Sequence, residues 1–296
     1  MIKRTIFISN PVRLHLKDQQ MKVEVKSSGQ QASIPIEDIG FVVIEHMQTS
    51  VSMPLLAALN EQNVGVIFCD VNHMPASMLL TLDSHSVQTE IFSNQLNASE
   101  PLKKRLWQQT IQAKIRNQTA HLQLRGIEAP GLSGLVKQVQ SGDVTNREGM
   151  AARIYWQSLM GKGFVRDRNG RPPNFVFNYI YIILRAAVAR ALAGSGLLPA
   201  LGIHHHNRYN SFCLADDIME PYRPFADQLA MELIEAEPDL NDLETDHKMK
   251  LLKLLQADVM VGKQKRPLLL ALSESTASLA RCFAGDVRQI VYPQLN

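Results

Sequence analysis

The stretch Val12-Arg13-Leu14-His15-Leu16-Lys17-Asp18-Gln19-Gln20-Met21-Lys22-Val23-Glu24-Val25 sets the fold class of the first part of the chain. Val12, Leu14 and Leu16 alternate with Arg13, His15 and Lys17, and Val23 and Val25 alternate with Lys22, Glu24 and Lys26. A period of two with polar alternates predicts a sheet with one face toward water. Downstream, Phe41-Val42-Val43-Ile44 and Val64-Gly65-Val66-Ile67-Phe68 carry no polar alternate and predict more deeply buried strands. Between them, Ser52-Met53-Pro54 opens a short helix through Leu55, Leu56 and Leu59, proline being tolerated in a first turn.

After about residue 80 the period becomes helical. Leu102, Leu106, Ile111 and Ile115 fall roughly a turn apart, and Gly126 with Pro130 closes that region. Further helices are predicted near 147–160, 174–193, 224–236, 246–260 and 268–284. The expected fold is α+β: a small N-terminal β-sheet domain, residues 1–78, then a larger all-helical domain, residues 79–296. The link between them is placed near Asn72 to Ser84.

At 296 residues, 45% hydrophobic and 20% charged, the chain buries a large core and is not a disordered polymer. A net charge of +3 is weakly basic, so any nucleic-acid surface must be a local patch. Cys69, Cys213 and Cys282 lie far apart without Cys-x-x-Cys, which fits a reducing cytoplasm and neither a disulfide framework nor a zinc ribbon. Met1-Ile2-Lys3-Arg4-Thr5 lacks the apolar core of a signal peptide. The apolar stretch from Phe175 to Leu192 is interrupted by Asn178, Arg185 and Arg190 and is expected to be a buried helix, with no membrane partner.

Two segments carry chemistry. In Glu148-Gly149-Met150-Ala151-Ala152-Arg153-Ile154-Tyr155-Trp156, positions 148, 152, 155 and 159 share one helix face. Glu148 then points with the apolar stripe, and a carboxylate there needs a cation, a hydrogen-bond donor or a metal. On this helix alone, first-turn capping after Thr145 and Asn146 is the simpler reading. The second segment, residues 199–224, holds His204-His205-His206 beyond a helix end at Gly202, then Asp217 and Glu220 at i, i+3. If that turn is helical both carboxylates face one side, although the pair also looks like an N-cap with its N3 partner. Arg208 and Arg223 have a bland reading too, as neutralisers of the acids. One imidazole with two or three carboxylates suits a hard divalent ion and phosphodiester chemistry. Residue chemistry leaves the choice among the three histidines open.

Taken together, Arg147-Glu148-Gly149-Met150-Ala151-Ala152-Arg153-Ile154-Tyr155-Trp156, then His205 with Asn207, Asn210, Ser211 and Phe212, and the run from Asp217 to Pro224 resemble the CRISPR-associated endonuclease Cas1 family. The helix from Asn178 to Ala193 and Leu201-Gly202 add to the resemblance, which covers nearly the whole chain and looks closest to the type II branch. It implies a spacer-acquisition integrase of antiviral defence. Such an enzyme joins the 3′-hydroxyls of a short duplex into the CRISPR repeat by metal-dependent transesterification. By the resemblance, Glu148, His205 and Glu220 are the catalytic metal ligands for Mg2+ or Mn2+, with Asp217, His204 and Asn207 supporting. The implied partners are double-stranded DNA, a second copy joined through the β domains, and a small ferredoxin-like second adaptation protein in a heterohexamer.

For DNA, Arg166, Arg168 and Arg171 follow the Glu148 helix, and Arg208 and Arg223 adjoin the proposed centre. Lys103-Lys104-Arg105 and Lys263-Gln264-Lys265-Arg266 are further basic clusters, the first of which reads more simply as a solvated face. The competing readings are a non-catalytic DNA scaffold, a simple metal-dependent nuclease, and a hydrolase of small molecules. A phosphate-binding Gly-rich loop, His-Glu-x-x-His and Gly-x-Ser-x-Gly are all absent from the sequence, which weakens the last.

Overall fold

The computed structural model describes residues 3–81, 85–167, 169–170 and 172–296. Strands come first: β1 (Arg4–Ile8), β2 (Val12–Lys17), β3 (Gln20–Val25), β4 (Gln31–Pro35), β5 (Ile39–Ile44) and β6 (Ser50–Val51). Then follow α1 (Met53–Glu61), β7 (Gly65–Cys69) and β8 (Pro75–Leu79). They build two four-stranded sheets, one ordered β1-β5-β7-β8 and the other β4-β3-β2-β6.

The two expected patterns separate onto these sheets. The alternating stretch is the antiparallel β2–β3 pair, with Val12 opposite Val25 and Leu14 opposite Val23. The uninterrupted runs are β5 and β7, paired in parallel, as strands buried on both faces should be. Val42, Ile44 and Val66 pack toward the second sheet and α1, in a cluster with Val12, Leu14, Met21, Leu55 and Leu59. Phe41, Val43, Ile67 and Cys69 face the other way, into the core shared with the helices. The β5–β7 sheet is thus the middle layer. The register leaves no room at Gly65, where a Cβ would run into the Phe41 ring.

The helical part comprises α2 (Gln88–Leu96), α3 (Glu100–Leu124), α4 (Leu132–Leu135), α5 (Arg147–Met160), α6 (Asn174–Gly194), α7 (Cys213–Met219), α8 (Arg223–Ala236), α9 (Thr245–Leu252) and α10 (Leu268–Ala284). A 3-10 turn, Glu220–Tyr222, links α7 to α8. Helix α6 is long and apolar enough to cross a membrane, but 72% of its most apolar window is buried inside the protein.

Three expectations are corrected. The second part is not all-helical: β9 (Asp258–Val261) and β10 (Gln264–Pro267) form an antiparallel hairpin. Gly262, at φ 60, supplies the left-handed backbone its tight turn requires. The helix expected over 246–260 accordingly ends as α9 at Leu252, and Asp258–Val261 leaves helical geometry to pair with β10. The stretch expected to link the two parts contains β8, which pairs antiparallel with β7 through Val66–Leu79 and Phe68–Ser77.

Candidate metal centre

Helix α5 begins where Asn146, in the left-handed region at φ 50, caps it by accepting from Gly149 N at 3.1 Å. Asp143 accepts the N–H groups of Arg147 and Glu148, each at 2.9 Å. With the first turn satisfied from outside, the Glu148 side chain takes no part in a capping box. It turns instead to Lys114 of α3, whose Nζ donates to Glu148 Oε1 at 2.5 Å. The buried stripe of α5 runs through Ala151, Tyr155 and Leu159, so it passes Ala151 rather than the expected Ala152.

Glu220 approaches from the other side, at the start of the 3-10 turn. Its Oε2 stands 2.5 Å from the same Lys114 Nζ, and Arg223 Nη2 holds its Oε1 at 2.9 Å. The carboxylate is almost fully buried, and Oε2 has an ion partner but no hydrogen bond. Lys114 therefore bridges two acids that are distant in sequence. Burial opposes its charge, yet Glu220 and then Glu148 outweigh that and hold its pKa above the ordinary lysine value. The reciprocal effect, from Lys114 first and against burial, keeps the Glu148 carboxyl below the usual carboxylate value.

Asp217 does not share the face of Glu220. It is fully buried in α7 and closes the histidine loop, accepting N–H from Ile203 at 2.7 Å, His204 at 2.9 Å and His205 at 3.2 Å. Its Oδ1 also lies 2.5 Å from His205 Nδ1. Gly202 permits this closure, because a Cβ there would collide with the His205 carbonyl oxygen and stand 2.8 Å from Asp217 Oδ2. The Asp217 bond, acting against burial, raises the His205 pKa above the ordinary 6.5. It also leaves Nε2 as the ring nitrogen available for a ligand. Trp107 of α3 stacks on His204, centroids 4.1 Å apart, and meets His205 edge-on at 5.7 Å. His206 and Asn207 are exposed, and Asn207 serves the loop by accepting from Tyr209 N at 2.9 Å.

The structure thus brings Glu148 and Glu220 onto one buried cation, Lys114, with His205 oriented separately by Asp217. The His205 charge helps to lower the Glu148 pKa, and the Glu220 charge helps to raise that of His205. Among the described residues no three His, Cys, Asp or Glu side chains already stand together as a metal cluster; between the two glutamates stands the lysine. Two carboxylates, an imidazole with a free Nε2 and a buried oxygen without a hydrogen bond are a suitable donor set for a hard divalent ion.

Lys114 and Trp107 are the residues that sequence reasoning missed. Trp107, Lys114 and His121 recur at i, i+7 and i+14 on one face of α3, and all three are buried. A lysine inside an apolar stripe was the available signal.

The arginines divide. Arg223 pairs with Glu220 and lies over the Tyr181 ring at 4.8 Å, so the charge-neutralising reading describes its contacts. Arg166 is tied to Asn174 at 3.0 Å and Asn178 at 2.9 Å. Arg208 is exposed and folds over Tyr209, 4.6 Å from the ring. Arg168 and Arg171 lie outside the described residues. Lys103 pairs with Glu100 at 3.3 Å, Lys265 with Asp258 at 3.1 Å and Arg266 with Glu274 at 3.4 Å.

A layered β part backed by helices is a build found in known proteins. A casposase solved with its integration product matches at TM-score 0.80 and 18% identity, covering 97% of this chain and 92% of that one. A Cas1 protein of Thermotoga maritima matches at TM-score 0.73 and 16% identity, covering 96% and 98%. These two establish a shared fold. A family model described as CRISPR associated protein Cas1 matches residues 6–254. The CRISPR-associated endonuclease Cas1 of Neisseria meningitidis serogroup C (strain 8013) is 36% identical over 295 residues, 99% of this chain and 96% of the relative. That of Francisella tularensis subsp. novicida (strain U112) is 28% identical over 269 residues, covering 83% and 84%. The chain belongs to the Cas1 family of CRISPR-associated proteins.

Proposed function

We propose that the protein is a DNA-cutting and DNA-joining enzyme of CRISPR adaptation, with Glu148, His205 and Glu220 as the holders of Mg2+ or Mn2+. The observation that carries this reading is the meeting of Glu148 and Glu220, far apart in sequence, on one buried cation, with His205 held by Asp217 on the loop before α7. The curated relatives bear the name endonuclease, and the same fold accommodates an integration product in the casposase.

The reaction is a transesterification. The 3′-hydroxyl oxygen of a short duplex bonds to a repeat phosphorus as the bond from that phosphorus to the leaving strand's 3′ oxygen breaks. The proton lost by the attacking hydroxyl is balanced by one gained on the leaving oxygen, and no redox partner is required. A bound ion would supply charge neutralisation at the phosphoryl group and activation of the hydroxyl. Asp217 fixes the His205 ring, and Asp143 with Asn146 fixes the start of α5 and so aims Glu148. The exposed Arg208, with Arg166, Arg168, Arg171 and Arg223, is assigned to the DNA backbone, which positions without reading sequence.

The assembly proposed has residues 1–78 forming a dimer surface, where Met47, Met53 and Val71 expose large apolar side chains. Two such dimers would flank a dimer of a small ferredoxin-like second adaptation protein; a chain of a Cas6-RT-Cas1–Cas2 complex shares the fold at TM-score 0.74. Action in the cytoplasm agrees with three buried free cysteines.

The test is transfer of a labelled short duplex into a plasmid with the matching repeat and leader, with the small partner and Mn2+, comparing wild type with Glu148→Ala. Joining by wild type alone is expected. Joining by both proteins sinks the assignment of Glu148, and joining by neither leaves a scaffold, a missing factor or a wrong target.

A further inference from the structure

Lys114 is the charged group at the centre for which the proposed reaction has no use. Its side chain is only 7% exposed, and it projects from the middle of α3, between the turns that carry Trp107 and His121. The Glu220 oxygen left over by Arg223 faces Lys114. Two carboxylates gathered in a poorly solvated place repel each other unless a cation joins them. Here the ammonium of Lys114 joins them. Lys114 Nζ stands 2.5 Å from Glu148 Oε1 and 2.5 Å from Glu220 Oε2, between the two carboxylates that would hold a divalent ion.

We propose that Lys114 is the resident counter-ion of the metal-free centre. It holds Glu148 and Glu220 in place for their ligand role and must leave them as a divalent ion enters. This rests on the reading of those two glutamates as ligands. Its consequence is a threshold: the ion must displace a buried ion pair, so the centre fills only for ions that bind both carboxylates strongly. The four-carbon stem of lysine permits the displacement. The one-third-exposed side of Glu148 gives the amine a way out to solvent.

The test is Mn2+ binding, followed by the electron paramagnetic resonance signal of free Mn2+, alongside thermal melting in EDTA and in saturating Mn2+. Wild type is compared with Lys114→Met and Glu148→Gln. Lys114→Met should melt lower than wild type in EDTA, bind Mn2+ about tenfold or more tighter, and show the larger melting rise with Mn2+. Mn2+ binding by Lys114→Met equal to or weaker than that of wild type overturns the proposal. If that variant does not fold, wild type carries the test through amine labelling of Lys114 read by peptide mass mapping. Labelling should be blocked in EDTA and appear at Mn2+ saturation; protection that persists with Mn2+ bound overturns the proposal. Wild type that binds no Mn2+, or Glu148→Gln that binds as wild type does, removes the metal reading and this proposal with it. Loss of binding in Glu148→Gln with an unmoved Lys114 removes this proposal alone.

Discussion

His205 owes its orientation to Asp217, which spends every contact described here on the loop that presents the imidazole. A protonated imidazole cannot ligate an ion. Asp217 raises the His205 pKa above 6.5, so Mn2+ affinity should fall as pH falls, with the loss setting in above 6.5. Asp217→Asn removes the charge and the orientation together. It should weaken Mn2+ binding about 10–100-fold and carry the acid limb to lower pH, both readable from isotherms between pH 5 and 8. An acid limb that does not move would separate His205 from the ion. The His-His-His cluster marked a candidate ligand loop, but not which ring Asp217 would orient. That choice depends on Gly202 and on a carboxylate in α7, a tertiary closure that spacing does not reveal.

At the scale of elements, α3, α5, α6 and α8 are joined behind the centre by a buried polar chain. Tyr155 donates to Asp227 Oδ2 at 2.8 Å and Tyr181 to Oδ1 at 2.5 Å, while His121 Nδ1 meets the Tyr155 hydroxyl at 2.6 Å. Burial, against the two tyrosine bonds, pushes the Asp227 carboxyl from 3.8 up to about 6. A raised acid pKa makes the folded state hold its proton more tightly than the unfolded chain. Its stabilising contribution is therefore complete below pH 3.8 and is lost as pH rises through about 6. Relative to Asp227→Asn, wild type should lose about 2 kcal/mol between pH 4 and 6.5, measured by urea unfolding at the two pH values. A parallel pH profile in the two proteins would contradict it. Helices with long apolar periods, such as α5 and α10, were legible because 3.6-residue patterning reports a buried face directly. Strands β1, β4, β6 and β8 were not, being short or at sheet edges where one neighbour decides the conformation. Lys114 escaped notice for a related reason. In sequence a lysine of a long helix reads as solvated, and only the fold brings Glu148 and Glu220 to it.

For the whole molecule, among the described residues, apolar packing, the buried pair of Lys248 in α9 with Glu45 beyond β5 at 2.5 Å, and the Arg190 Nε bond to the Asn63 carbonyl at 2.5 Å tie the β layer to the helices. Lys248→Met leaves Glu45 buried without this partner and should cost about 3–5 kcal/mol, seen as a lower melting temperature. Glu45→Leu combined with Lys248→Met should recover most of it, and failure of the pair to recover would make Lys248 a packing residue only. A net charge of +3 leaves DNA affinity to local patches. Arg208→Ala should accordingly weaken duplex binding across sequences and reduce the salt slope by about 1, measured by titration at several salt concentrations. The layered α+β order was legible from the change of period near residue 80. The hairpin of β9 and β10 was not, because the four-residue strands are too short to establish alternation.

The most direct measurement is anomalous diffraction from a crystal soaked in Mn2+, at an energy where manganese scatters anomalously. A peak among Glu148, His205 Nε2 and Glu220, with Lys114 drawn away from both glutamates, is the predicted result. A peak elsewhere, or Lys114 still bridging the two carboxylates at full Mn2+ occupancy of another site, would contradict it.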